Sequence, residues 1–196
     1  MTILRLPLTV EFLGTPEAGK TTTVHRLEEV LSREYRTSIA QESAEIVPSI
    51  FPKGSMEAHF WMRLNTAQYL LENKVSKDSH DVLLIDRGIV DTLFWDYYYQ
   101  NIGKLSSEQV KIARDFLKSI GISLPDLVVL MTTTPEEAIR RRGGEGRIVT
   151  MDFLKRFNHL LQSFIKTVSC PVFYLDTTGL SKDEVIDILL KKIYEL

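Results

Sequence analysis

The sequence predicts an α/β domain in which a parallel sheet is covered by helices on both faces. Three observations carry that prediction. Five short apolar runs, at residues 8–13, 37–41, 82–86, 127–131 and 172–175, are each bounded by turn-forming residues, as strands buried on both faces read. Segments with helical apolar spacing separate the runs, the alternation expected of strand–helix–strand units. A stretch bracketed by two glycines, Gly14-Thr15-Pro16-Glu17-Ala18-Gly19-Lys20-Thr21, stands where the first run gives way to helical spacing at Val24, Leu27, Val30 and Leu31.

Composition narrows the class. At 196 residues the chain is one domain long, enough to bury a core, so a single domain spanning 1–196 is expected. Hydrophobic residues make up 44% and charged residues 26%, and the formal net charge is -2. That balance suits a soluble globular protein and offers no broad footprint for nucleic acid. Cys170 is the single cysteine, so neither a disulfide framework nor a cysteine metal site forms within one chain, and it reads as a small core residue. The first ten residues run almost directly into the glycine stretch, which leaves no room for a cleavable signal, and no apolar stretch reaches the roughly 20 residues that span a bilayer. A cytoplasmic protein without a membrane partner is expected; a homodimer is left open.

The glycine stretch fits G-x-x-x-x-G-K-[ST] in full, and its chemistry explains its spacing. Gly14 and Gly19 allow backbone turns in which successive N–H groups curl around an anion at the positive end of a helix. Thr15, Pro16, Glu17 and Ala18 form the loop between them, and Thr22 continues it into the helix. Lys20 places a compact charge on the β and γ phosphates, and the Thr21 hydroxyl can ligate Mg²⁺. The expected ligand is ATP or another nucleoside triphosphate.

In a parallel sheet the residues just past each strand build the site. Past the second run, Glu42 can take a proton from an attacking hydroxyl, or it is a solvated charge at a strand end; Glu45 is the reserve. A helix over about 55–74 follows, with Phe60, Leu64 and Ala67 at core spacing and with Phe60, Arg63 and Gln68 as candidates to grip an acceptor. The third run ends in Asp86-Arg87-Gly88, an acid placed to hold Mg²⁺ and a guanidinium placed for phosphate oxygens, with a strand-end salt bridge as the plainer alternative. Aromatics from Phe94 to Tyr99 read as packing. A further helix over 106–120 turns Val110, Ala113, Phe116 and Leu117 inward. After the fourth run, Pro135, Glu136 and Glu137 open a helix that carries Arg140, Arg141 and Arg142, then glycines, then Arg147. This segment, about 136–150, reads as a hinged lid whose arginines close on the phosphates, or as a solvated basic run. Residues 152–168 read as a structural helix. The loop after the fifth run places Thr177 and Thr178 beside a nucleotide base.

Taken together, the glycine stretch, Glu42, Asp86-Arg87, the arginine segment and Leu175-Asp176-Thr177-Thr178 resemble the thymidylate kinase and deoxynucleoside kinase branch of the P-loop kinases. The resemblance implies a P-loop NTPase fold with strand order 2-3-1-4-5 and transfer of the ATP γ-phosphate to a nucleoside or nucleoside monophosphate. It also implies Glu42 near the acceptor, Arg87 at the acceptor end and residues 140–147 as a lid. The chain departs from the branch at Gly88-Ile89-Val90-Asp91, where thymidylate kinases continue with tyrosine and serines, and at Ser43, where deoxynucleoside kinases carry proline. Two other readings share the donor residues: a kinase of a non-nucleoside molecule or a polynucleotide end, and a regulatory ATPase with water as acceptor.

Overall fold

Strand β1, Leu8–Gly14, forms the middle of the sheet and decides where everything else goes. It pairs in parallel with β3 (Val82–Asp86) on one side and with β4 (Leu127–Thr132) on the other. Strand β2 (Thr37–Ala40) lies outside β3 and β5 (Val172–Asp176) outside β4, so the order is β2-β3-β1-β4-β5, as the resemblance implied. The coordinates are a computed structural model that describes residues 4, 6–40, 43–52, 54–75, 80–142 and 150–196.

Among the described residues six α-helices and one turn of 3-10 helix (Ser43–Glu45) connect the strands, and a seventh α-helix follows the last of them. Side chains alternate across a strand, and that period sorts the core into two layers. Leu8, Val10 and Phe12 of β1 face one side, with Val82, Leu84, Val129 and Met131. They meet α1 (Lys20–Leu31) and α7 (Lys182–Ile193) through Val24, Leu27, Leu31, Val185, Ile186 and Leu189. Leu13, Val128 and Leu130 face the other side, against α3 (Ile89–Asn101), α4 (Ser107–Ser119) and α6 (Met151–Ile165). Glu11 has the parity of Leu13, so it faces the layer of α3 and α6 and is fully buried there.

Two core expectations fail for the same reason. In α4 the buried stripe is Val110, Ala113 and Leu117, spaced by three and four residues, whereas Phe116 lies about 100° round the helix and is 42% exposed. In α2 (Met56–Val75) Ala67 is buried, but Leu64 and Phe60 face outward. The inner side of α2 is polar instead: buried His59 and Arg63 both meet Asp96 of α3, and His59 sets its ring edge against Tyr99. An apolar count reads such a face inside out.

Candidate active site

The turn from β1 into α1 is built around a close approach. A Cβ on Gly14 would lie 1.7 Å from the Met131 carbonyl oxygen of β4, so Gly14 is glycine because a neighbouring strand presses on it. Thr15 N donates to that same carbonyl at 3.0 Å. Gly19 is glycine for the other reason: space is open around it, but its φ is +91°, in the left-handed region. Glu17 also has positive φ, 63°. Buried Lys20 reaches back across the loop, and its ammonium donates to the carbonyls of Thr15 at 2.8 Å and Gly14 at 3.2 Å. Helix α1 has no side-chain cap and no acidic residue in its first turn. The positive end of its dipole is therefore turned to the loop without an internal anion.

Asp86 and Arg87 stand beside this loop at the end of β3 and face two directions. Thr21 Oγ1 donates to Asp86 Oδ2 at 2.5 Å, while Asp86 Oδ1 is buried without a hydrogen-bond partner. An orphaned carboxylate oxygen joined to a hydroxyl is a donor set that fits Mg²⁺, which takes one or two protein oxygens and completes its shell with phosphates and water. No group of three or more His, Cys, Asp or Glu occurs among the described residues to hold an ion by protein ligands alone. Arg87 has φ 62°, so the chain turns sharply there. Its side chain lines a cavity of about 330 Å³ between the ends of β2 and β3 and helix α2. Ser43, Asn65, Thr66, Gln68 and Tyr69 give that cavity its polar lining.

A second cleft, about 510 Å³, opens on the other side of the loop. Glu17, Ala18, Gly19 and Thr22 form one wall; Arg140 and Arg141 of α5 (Pro135–Arg142) and Thr177 form the opposite one. Arg141 is the bracket between them. It donates to Thr177 O at 2.6 Å, to Thr177 Oγ1 at 3.0 Å and to Glu17 O at 3.3 Å. Glu137 binds both Arg140 and Arg141, and hydrogen bonds from the Arg140 and then the Arg141 side chain hold its carboxyl down to about 2. Thr178 turns away from the cleft and ties its loop to Thr133 and Thr134.

The structure thus brings Gln68 and Arg87 together at one cavity and Thr22, Arg140 and Thr177 at the other. Phe60 and Arg63 are not among the residues lining the first cavity: Arg63 is buried against Asp96 and lies over the Phe60 ring. Arg142 ends α5, half-buried. Glu42, Arg147 and the glycines at 143–146 lie outside the described residues, and with them most of the expected lid.

Three participants escaped the sequence reading. Arg141 was not separated from its neighbours. Asn158 of α6 accepts from Thr15 Oγ1 at 2.9 Å, fastening the loop to a helix read as structural. Glu11 accepts three backbone hydrogen bonds at the start of α3, from Asp91 N at 2.8 Å, Gly88 N at 3.0 Å and Val90 N at 3.1 Å. Burial pushes its carboxyl up to about 7, opposed by those bonds and assisted by the nearby Asp91 charge. An acid at an inward strand position was the available signal.

Comparison with known proteins agrees with this fold. The AAA domain family profile matches residues 9–182. A thymidylate kinase of Caldanaerobacter subterraneus subsp. tengcongensis is 29% identical over 150 residues, covering 69% of each chain. One from a Thermoanaerobacter species is 29% identical over 147 residues, covering 68% of this chain and 70% of its own. Among solved structures, a deoxyadenosine kinase from M. mycoides superposes with a TM-score of 0.74 at 18% identity, covering 96% of this chain and 100% of that one. A thymidylate kinase from Candida albicans superposes at 0.70 with 18% identity, covering 96% and 91%. The chain belongs to the AAA domain family, and the relatives and solved structures it resembles are thymidylate and deoxynucleoside kinases with a P-loop.

Proposed function

We propose that this protein transfers the γ-phosphate of ATP to a nucleoside or nucleoside monophosphate. The observation that carries the reading is the Asp86-Arg87 pair: one residue is hydrogen-bonded to the donor loop at Thr21, and the next lines a separate cavity. A transferase needs two such chambers meeting at one point, and an ATPase that uses water needs only the first. The neighbours named as thymidylate and deoxyadenosine kinases support a nucleoside or nucleotide as the occupant of the second.

In this mechanism the amides at the start of α1, which no side chain caps, bind and orient the triphosphate, and the Lys20 ammonium, already across the loop, moves onto its phosphate oxygens. Thr21 and Asp86 would hold Mg²⁺, which when bound offsets charge on the donor's terminal oxygens. Arg87 presents its planar fork at the acceptor side and steadies the charge of the transferring group. The amides and hydroxyls of Asn65, Thr66 and Gln68 suit the polar edges of a base or sugar. Arg140 and Arg141 guard the donor cleft, where the base and ribose of ATP fit beside Thr177. Glu42 is the reading's general base for a hydroxyl acceptor, a role that shrinks when the acceptor is already a phosphate.

The test is direct. The purified protein is incubated with γ-labelled ATP, Mg²⁺ and a panel of nucleosides, nucleoside monophosphates and unrelated hydroxyl compounds. Label should appear on one class of nucleoside or nucleotide and fall at least tenfold in Arg87→Ala. Label passing only to water, whatever the acceptor offered, sinks the proposal.

A further inference from the structure

The start of α3 is assembled from a distance. Its N-cap is Gly88, which has no side chain to cap with, and in its place the Glu11 carboxylate crosses from β1 to take the amides of Gly88, Val90 and Asp91. The seat is made to measure: a Cβ on Gly88 would lie 2.8 Å from Glu11 Oε2 and 2.7 Å from Ile85 Cγ2. So Gly88 is the residue that leaves room for this carboxylate.

Between Asp86 and that cap lies Arg87, whose left-handed backbone is strained for a residue with a side chain. It is pinned on both sides. Its own N–H donates to Phe12 O at 3.2 Å, and the next N–H, of Gly88, donates to Glu11 Oε1 at 3.0 Å. Release of the second anchor lets the turn relax toward an ordinary helix start, swinging the guanidinium relative to the cavity it lines.

We infer that Glu11 is a positioning residue of the phosphotransfer site: by gripping the first amides of α3 it holds Arg87 in its left-handed turn and so aims that arginine into the acceptor cavity. The inference rests on the reading of that cavity as the acceptor's. Strain held in place beside a functional residue is a recurring device, because the surrounding bonds over-determine it. Here those bonds come from the strand that also begins the donor loop, so a single element sets both halves of the site.

The experiment uses Glu11→Gln, which keeps the shape but replaces one acceptor oxygen with an NH₂ group, and Gly88→Ala, which crowds the same seat from the other side. Steady-state constants are measured with ATP as donor and with deoxyadenosine and thymidine monophosphate as acceptors. In both variants the acceptor KM should rise about tenfold and kcat should fall, with the ATP KM within about twofold of wild type. The double variant should be little worse than the poorer single one, since both act on one contact. Amide exchange at residues 87–91 should quicken at least tenfold in folded Glu11→Gln. An ATP KM that rises as much as the acceptor's, or constants that match wild type, overturns the inference. Should wild type label no member of the full nucleoside and nucleoside monophosphate panel, the functional reading falls by itself. Unchanged exchange at 87–91 in the variant would then overturn the positioning role separately.

Discussion

Helices α1 and α3 both begin at the carboxyl end of the sheet, after the neighbouring strands β1 and β3, and their first turns are treated in opposite ways. Helix α1 opens at Gly19 with no side-chain cap and no acid in its first turn. Helix α3 opens at Gly88 with a buried glutamate already bonded to three of its amides. A helix start leaves four N–H groups without partners and a partial positive charge. At α1 that deficit is kept for a ligand; at α3 the protein fills it. An anion entering between them therefore meets an open helix end at α1 and a filled one at α3.

The sharpest way to break the contrast is to weaken the inviting end. Lys20→Ala should lower phosphotransfer by on the order of a thousandfold, the scale for losing a charge aimed at the transferring group. Thermal unfolding should shift far less than activity falls, since the bonds from Lys20 to the Gly14 and Thr15 carbonyls stay within one loop. Steady-state kinetics beside a melting curve separate the two, and a comparable loss of stability would mean the lysine is structural.

The filled end should respond to pH where the open one does not. Burial raises the Glu11 carboxyl from 4.5 to about 7, so between those values the native protein keeps a proton that the unfolded chain has released. Stability must then fall as pH rises from about 5 to about 7 and level off above, by roughly 3 kcal/mol if Glu11 acts alone. In Glu11→Gln that slope should vanish, as read from denaturation midpoints across pH 5 to 8. A slope that survives the substitution places its origin elsewhere.

A third start, that of α7, calibrates an ordinary cap. Ser181 accepts from Glu184 N while the Glu184 side chain accepts from Ser181 N, a reciprocal box at the surface. Ser181→Ala should cost about 1 kcal/mol by chemical denaturation and leave kinetics alone.

What the sequence disclosed follows from how local each signal is. The glycine loop, the five strands and the Asp86-Arg87 junction are written in consecutive residues, and so they were readable; the strand order came with the family resemblance. Glu11 was passed over because it sits inside a run of apolar residues, and its partners lie 77 to 80 positions away. The inner face of α2 was misassigned because Arg63 and His59 find Asp96 only once α3 packs alongside, 33 and 37 residues on. Among three adjacent arginines, the one that bridges to Thr177 and Glu17 is selected by the rotation of α5, which depends on what it packs against.

The contact between Gly14 and Met131 has a consequence for motion. With a carbonyl of β4 lodged where any larger side chain would stand, the root of the donor loop is welded to the middle of the sheet. Whatever travels during a catalytic cycle must then come to the nucleotide, because the nucleotide's own cradle has nowhere to go.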